Sequence, residues 1–519
     1  MKRKYVSIYL VSIILASIFL VGFTNYNEDV ELKKKMTIMI VPLDDRPVNI
    51  DFPKSIADIL EVNIMLPPKE IIGSRLEKGD SEKIKNWALE NSKYADAFII
   101  SLTMTNHGGL IHSRMLDNDN FVIDLDWLRE LNDKNPGKEI YAFDTIQRLS
   151  VSVDNKYEKE LYDNIQNWAK NYMITDRNKL KALEEKIPGE LKNKYLYSRA
   201  VNLSFNLEAI NLVQEGVIDY LVLSQDDAAE KGIHLLDQQQ IKNKIHELGV
   251  EDKTSMIIGT DEVELNLLMR HILKHYNYSP KVSVQYINEN KKGIILSYED
   301  RPLDKTIIEH IELAGASYVS YATNNADLYL FVYNSIENET ITLDFIKKIK
   351  EYIESGKTVG IIDLSNNLSK SSANDFVSLL RKNINLSDLG SYSAWNTASN
   401  ASGISISHLL AYWHSKRFLL GTEQYHQKFL YNRFMNDYVY KVKIKPVLES
   451  YLISTGSDVH NLDASYGKSY LENYITDHFI KLQSDFLMEF DDVYWDKIAI
   501  KKVELPWDRL FEIRIVNYN

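Results

Sequence analysis

The chain has 519 residues, with 61 lysines and arginines, 73 aspartates and glutamates and no cysteine, which gives a formal charge of −12. Its composition, 45% hydrophobic and 26% charged, is that of a globular protein and excludes a collagen-like or largely disordered chain. The acidic balance disfavours nucleic acid as a partner, and the lack of cysteine excludes disulfides, thiolate nucleophiles and cysteine-ligated metals.

The beginning of the chain has the pattern of an export signal. Three basic residues at 2–4 precede an uncharged apolar run over 5–23. Such a pattern is typical of a secretory signal peptide, and the run is also about long enough to span a bilayer. We therefore expect a signal peptide or an N-terminal membrane anchor at 1–24, a polar linker at 25–35, and a protein that is exported, either membrane-anchored or extracellular.

From residue 36 onward, short β-branched apolar runs alternate with longer segments of helical periodicity. The apolar runs lie at 36–43, 62–66, 96–102, 139–143, 219–224, 254–259 and 281–286. Continuous apolar strands separated by helices are typical of a parallel sheet that is covered on both faces. We therefore predict an N-terminal α/β domain at 36–290, which is either a (β/α)8-barrel-like fold or an open doubly wound sheet.

A second, smaller α/β domain is predicted at 291–403. Its apolar runs lie at 292–298, 317–321, 327–333 and 358–363. The remainder, 404–519, is predicted to be a helix-rich C-terminal region that ends in a short β segment.

A four-residue motif occurs twice. The string DDRP at 44–47 follows the first predicted strand, and EDRP at 299–302 follows the run at 292–298. Both strings lead into an amphipathic segment. The repeat favours two related α/β domains, and the alternative is chance recurrence of a short string.

Carboxylates follow most of the predicted strands of the first domain. In parallel α/β folds the carboxyl ends of the strands converge on the functional site. Acids gathered in one cleft repel each other, so that one pKa rises while another group stays ionised, as in glycoside hydrolysis. We predict catalytic roles for Asp226, Asp227, Asp261 and Glu262, with Asp226 or Asp227 and Glu262 forming the acid–base or nucleophile pair.

Polar residues of the same loops are predicted to position a substrate. They are Asp44, Asp45, Arg46, Asn106, His107, Asp144 and Arg148, joined by Trp395, Asn396 and Asn400 from the second domain. A tryptophan beside amides suits a sugar ring. Structural alternatives stay open, namely a helix cap for Asp261, an internal Asp–Arg pair at 44–46 and a buried tryptophan in a turn.

Sequence motifs for several other chemistries are absent. No Gly-x-Gly, Gly-x-Ser-x-Gly or His-Glu-x-x-His string occurs, which argues against a Rossmann dinucleotide site, a nucleophile elbow and a zinc protease. No cofactor is predicted, although the strand-end carboxylates are suitable ligands for a divalent cation.

Five strings resemble conserved blocks of a bacterial family known as domain of unknown function 4127. They are VPLDDRPVN at 41–49, QDDA at 225–228, GTDEV at 259–263, WNTASN at 395–400 and LPW at 505–507. The family usually has glycine at the position of Ala394 and alanine at that of Thr260. The resemblance implies one integrated unit over 36–519 and brings no established activity.

We therefore expect an exported or membrane-tethered hydrolase or lyase that acts on a carbohydrate or cell-envelope glycan through paired carboxylates. Its predicted partners are this substrate and, through the N-terminal segment, the membrane. One alternative is a metal-dependent hydrolase of phosphate or amide bonds that uses the same carboxylates. Another is a non-catalytic envelope protein that binds a glycan through the region around Trp395.

Overall fold

The computed structural model describes residues 35–114, 123–152, 159–320, 325–368, 374–462 and 467–518. Residues Thr37–Asn519 form one compact unit. The signal peptide or anchor predicted at 1–24, and almost all of the linker predicted at 25–35, lie outside the described residues. Within the described ranges, no helix combines the length and the apolarity needed to cross a membrane.

The first sheet has six parallel strands in the order β2-β1-β3-β4-β5-β6. They are β1 (Thr37–Val41), β2 (Asn63–Met65), β3 (Ala97–Ser101), β4 (Glu139–Ile146), β5 (Tyr220–Gln225) and β6 (Thr254–Ile258). The order runs from β2 to β6 without closing on itself. The structure therefore has the open doubly wound alternative and not the barrel.

Helices surround this sheet, which is why its central strands are apolar without alternation. The helices are α1 (Pro47–Leu60), α2 (Lys69–Ile72), α3 (Ser81–Asn91), α4 (Leu102–His107), α5 (Asp126–Lys134), α6 (Lys159–Lys170), α7 (Arg177–Glu184), α8 (Gly189–Gln214), α9 (His234–Leu248) and α10 (Val263–His275). Pro47 suits the first position of α1, because its missing N–H would have no partner within the helix.

The second sheet has five parallel strands in the order β11-β10-β9-β7-β8. They are β7 (Lys281–Tyr286), β8 (Ser317–Val319), β9 (Leu328–Tyr333), β10 (Thr358–Asp363) and β11 (Ser391–Ser393). The run at 281–286 was assigned from the sequence to the first domain, but it pairs in this second sheet.

The strand predicted at 292–298 is wrong, because these residues form a largely exposed loop. The carbonyls of Lys292 and Ile294 accept hydrogen bonds from the first turn of the next helix instead of from a strand. The apolar composition of the run resembles that of a strand, but the neighbouring positions in the sheet are already taken by β8 and β9.

The two sheets share one topology. Numbered from its own first strand, each sheet runs 2-1-3-4-5, and the first sheet adds a sixth strand. The repeated motif occupies equivalent places, since 44–47 leads from β1 into α1 and 299–302 leads from the loop after β7 into α11 (Leu303–Leu313). The repeat therefore marks corresponding positions in two α/β units.

The rest of the second α/β unit and the C-terminal region are mostly helical, as predicted. The helices are α12 (Glu339–Glu354), α13 (Ser365–Leu368), α14 (Asn374–Asn383), α15 (Ala398–Phe418), α16 (Glu423–Arg433), a π-helix (Phe434–Ile444), α17 (Lys445–Ser454), α18 (Lys468–Leu487) and α19 (Trp495–Ile498). A final antiparallel hairpin pairs β12 (Ile500–Glu504) with β13 (Arg514–Asn517).

Helix α15 joins the two sheets. It contacts α1, α10 and α11 as well as β10 and β11, and it is buried on all sides from Ala398 to Ser415. Small residues allow this close packing, and a Cβ at Gly403 would lie 2.3 Å from Cγ of Glu262. The helix thereby holds the loop before it, at 394–397, against the strand ends of the first sheet.

Candidate functional site

A polar cavity of about 230 Å³ lies where the carboxyl ends of β1, β5 and β6 meet loops of the second sheet and of the C-terminal hairpin. We call it the inner cavity. It is lined by Arg46, Leu110, Ile111, Arg114, Arg148, Tyr162, Asp226, Asp227, Asp261, Tyr298, Asn396, Thr397, Trp507, Arg509 and Phe511. In doubly wound sheets, ligands bind at this edge, where the strand order reverses around the first strand.

A second cavity of about 360 Å³, the outer cavity, adjoins the inner cavity. The two share seven lining residues, namely Ile111, Arg114, Arg148, Tyr162, Tyr298, Arg509 and Phe511. We call the two cavities together the cleft. The cleft is within the size range of small-molecule binding sites.

Asp226 and Asp227 follow β5, and both line the inner cavity. Asp226 Oδ2 accepts hydrogen bonds from Arg114 at 2.8 and 3.1 Å, whereas Asp227 Oδ2 accepts one from Arg148 at 3.0 Å. Burial raises the pKa of Asp227, and the adjacent Asp226 charge raises it further. The Asp227 side chain is 30% exposed and that of Asp226 only 7%, so Asp227 is the more accessible of the two acids.

Asp261 follows β6 and lines the same cavity. Its two oxygens accept hydrogen bonds from Arg46 at 2.6 and 3.3 Å. Burial raises the pKa of Asp261 to about 6, although Arg46 opposes the shift. The side-chain helix cap considered from the sequence is not formed: α10 has Glu262 at its N-cap position without a capping side-chain bond.

The structure does not bring Glu262 to the cavity, so the predicted pair with Asp226 or Asp227 is not assembled there. Glu262 is fully buried between the two sheets. Its Oε2 accepts a hydrogen bond from Asn400 at 2.6 Å, and its Oε1 lies 3.3 Å from His310 Nε2. Burial raises its pKa well above the usual value, which favours a neutral carboxyl group with a structural role.

Asp44 and Asp45 also lie behind the cavity wall and not on it. Asp44 Oδ1 accepts hydrogen bonds from Arg46 Nε at 2.9 Å and from Asn49 at 2.7 Å. Asp45 Oδ1 accepts one from Trp507 Nε1 at 2.5 Å, and burial raises the Asp45 pKa. The first acid therefore orients Arg46, which does line the cavity, and the second fastens the C-terminal hairpin.

The three candidates from β3 and β4 are placed away from the cavity lining. Asp144 accepts hydrogen bonds from Thr103 and Asn206, each at 2.8 Å, and burial raises its pKa to about 7. His107 packs edge-on against Phe205 at 5.1 Å, and burial lowers its pKa to about 3. Asn106 lies beside it in α4. The structure thus gives these residues no contact with the cleft.

Of the predicted residues 395, 396 and 400, only the two asparagines border a cavity. Trp395 is 1% exposed and makes edge contacts with Phe52 and Phe511, so its ring face is not available for stacking. Asn396 lines the inner cavity with a φ of 56°. Asn400 borders a narrow recess of the same wall and forms the capping box of α15.

Several cleft residues were missed by the sequence reasoning. They are Arg75, Arg114, Lys159, Tyr162, Tyr298, Lys445, His460, Trp507, Arg509 and Phe511. Two carried a signal: Tyr298 precedes the repeated motif, and Trp507 belongs to the LPW string. The others do not directly follow a strand of the first sheet, and no pattern in their surroundings indicates a shared cleft.

No group of three or more histidine, aspartate or glutamate side chains within the described residues is arranged to hold a metal ion. The cleft acids are instead matched with arginines. Their arrangement supports proton transfer by a carboxyl group and recognition of a polar ligand.

A family model described as "Protein of unknown function (DUF4127)" matches residues 38–516, nearly the whole described unit. The prediction made from the five strings is thereby confirmed. Neither the curated proteins nor the solved structures contain a match to the chain.

Proposed function

This chain belongs to the DUF4127 family, and we propose that it is a hydrolase or lyase acting on a carbohydrate or cell-envelope glycan, with Asp227 as the general acid–base. One observation carries the proposal. Among the three acids that line the inner cavity, Asp227 has a side chain 30% exposed, against 7% for Asp226 and 9% for Asp261. It combines this exposure with a raised pKa.

A raised pKa lets a carboxyl group hold a proton closer to neutral pH and deliver it to a leaving oxygen. Arg148 fixes the orientation of Asp227 through Oδ2. Asp261, on the adjacent strand end, supplies the second carboxylate, which accepts a proton or stabilises positive charge as the bond breaks. Adjacent strands are about 5 Å apart, and the two carboxyl groups of glycosidases are separated by about 5–10 Å.

The remaining cavity wall suits a polyhydroxylated ligand. Asn396 and Thr397 offer amide and hydroxyl groups from the loop before α15. Tyr298, 47% exposed, lines the same cavity and offers an aromatic ring from the loop that precedes the second copy of the motif. Aromatic faces with a few polar groups are typical of sugar-binding sites.

The proposal is tested with the full-length protein and purified cell-envelope glycans, by following released fragments with mass spectrometry. The substitution Asp227→Asn keeps the shape and removes the titrating proton. We expect turnover to fall by at least about a hundredfold. Asp133→Asn, at an exposed site on α5, is the matched control and should leave turnover unchanged.

Full turnover by a folded Asp227→Asn variant would contradict the assignment. Glycan binding without any turnover by the unsubstituted protein would favour the non-catalytic alternative. The exported location is part of the proposal, and membrane and secreted fractions of the native cell should contain the protein if residues 1–24 act as predicted.

A further inference from the structure

The outer cavity has an unusual charge for this protein. Its lining includes six basic side chains and a single carboxylate, contributed by Arg75, Arg114, Arg148, Lys159, Lys445, Arg509 and Glu449. The chain as a whole carries a net charge of −12. A concentration of cations in one cavity of an acidic protein is therefore a local feature and does not follow from composition.

Three of these cations pair with carboxylates that do not line the outer cavity. Arg114 pairs with Asp226, Arg148 with Asp227 and Arg509 with Glu512. The two lysines have partners nearer the surface, since Lys445 pairs with Glu449 at 3.0 Å and Lys159 with Asp163 at 2.5 Å. These acids hold the cationic groups in place, while only one carboxylate, that of Glu449, lines the outer cavity itself.

Crowding among the cations adds a second observation. Burial lowers the pKa of Arg509; its partner Glu512 opposes this shift, whereas the charges of Arg46 and Arg75 add to it. Arg114 is affected in the same way, by burial and then by Arg148. A bound anion would relieve this repulsion and accept hydrogen bonds from the guanidinium groups that line the cavity.

We propose that the outer cavity binds an anionic group, a phosphate or a carboxylate, carried by the glycan that reacts in the inner cavity. The inference rests on the proposed function and names its substrate class as phosphate- or uronate-bearing glycans. Arg114 and Arg148 belong to both cavities. The anionic group would therefore sit beside the bond that Asp227 protonates and fix the register of the polymer.

The test uses the full-length protein, with inorganic phosphate and glucuronate as binding probes in calorimetry. A glycerol-phosphate polymer, a uronic-acid polymer and a neutral polysaccharide serve as substrates. We expect Lys445→Gln and Arg509→Gln each to weaken anion binding by about tenfold or more. Lys443→Gln is the matched control, because this exposed lysine lies two residues from Lys445 and does not line the cleft.

Comparison of the glycerol-phosphate polymer with the uronic-acid polymer shows whether the bound anion is a phosphate or a carboxylate. The preferred polymer should bind and turn over at least about tenfold better than the neutral polysaccharide. Higher ionic strength should weaken this preference. Asp227→Asn separates the two proposals: retained phosphate or glucuronate binding with lost turnover supports both. Equal handling of neutral and anionic polymers, or equal effects of Lys443→Gln and Lys445→Gln, would overturn the anion site and leave the catalytic proposal standing.

Discussion

Arg46 is the residue on which the inner wall of the cleft depends. Its guanidinium group bonds Asp44 on the same loop and Asp261 after β6, and it lies 5.0 Å from the centre of the Trp507 ring. One planar fork thus connects three segments that are remote in sequence. A lysine offers no such geometry, because its single ammonium group cannot form the paired bonds.

We expect Arg46→Gln to lower the free energy of unfolding by about 3–5 kcal/mol, since two buried carboxylates lose their counter-charge. Arg46→Lys should recover only part of the loss. The control is Arg129→Gln, because Arg129 forms partly exposed ion pairs with Asp126 and Glu215; it should cost about 1 kcal/mol or less. Urea unfolding measures all three variants, and a loss of under about 1 kcal/mol for Arg46→Gln would contradict the role.

At this scale the sequence located several loops that line the cleft but not the direction of each side chain. Asp261 and Glu262 are neighbours, yet the first lines the cavity and the second is buried between the sheets. The chain turns at these two residues, between the end of β6 and the start of α10, so their side chains leave the backbone in different directions. Which of them meets the cavity depends on helix α15, whose position cannot be derived from the acids themselves.

At the scale of elements, α15 determines how closely the two sheets approach. Gly403 is the point of contact, because a Cβ there would lie 2.3 Å from Cγ and 2.9 Å from Cβ of Glu262. Glu262 is completely buried and fixed by Asn400. Its side chain has no free direction in which to move.

Gly403→Ala should therefore destabilise the protein by about 1–3 kcal/mol, although alanine is the better helix former. The displacement of α15 should also move Asn396 and Thr397 and reduce turnover. Gly293→Ala is the control, since a Cβ there would have nothing within 4 Å. Thermal unfolding and turnover measure both variants, and an unchanged or more stable Gly403→Ala protein would show that the contact is not restrictive.

The elements themselves were predictable where burial and composition agree. Strands β3 and β5 are buried throughout and mostly apolar, so their apolar runs predict them directly. Strand β11 is three residues, SYS, and its polar composition carried no signal. Helix α15 begins at Ala398, whereas the sequence predicted a helix-rich region only from 404. The start was missed because a helix that is buried on all sides has no amphipathic period.

At the scale of the whole molecule, the cleft is built from both ends of the described unit. The loop after β1 supplies Arg46, and the C-terminal hairpin supplies Trp507, Arg509 and Phe511. Arg514 on β13 bonds Asp51 of α1 at 2.7 Å, which reinforces the same junction. This closure agrees with a family match over 38–516, and it is why residues of the last segment could not be assigned to a site from local patterns.

The hydrogen bond from Trp507 to Asp45 tests this closure directly. Trp507→Phe retains an aromatic ring but leaves a buried carboxylate oxygen without its donor. We expect a loss of about 1–3 kcal/mol in the free energy of unfolding, together with faster amide hydrogen exchange in the loop at 42–46 and weaker binding in the cleft. Burial already raises the pKa of Asp45, while the Trp507 bond lowers it, so the substitution should raise the pKa further.

The matched control for this experiment is Trp495→Phe, because Trp495 Nε1 donates a comparable bond to the carbonyl of Phe490 at 3.0 Å and lies outside the cleft. It should cost about 1 kcal/mol and leave both loop exchange and ligand binding unchanged. If Trp507→Phe behaves like this control, the hairpin is not needed to hold the loop after β1. If only Trp507→Phe increases hydrogen exchange in that loop, the C-terminal hairpin is needed to hold the loop after β1 in the wall of the cleft.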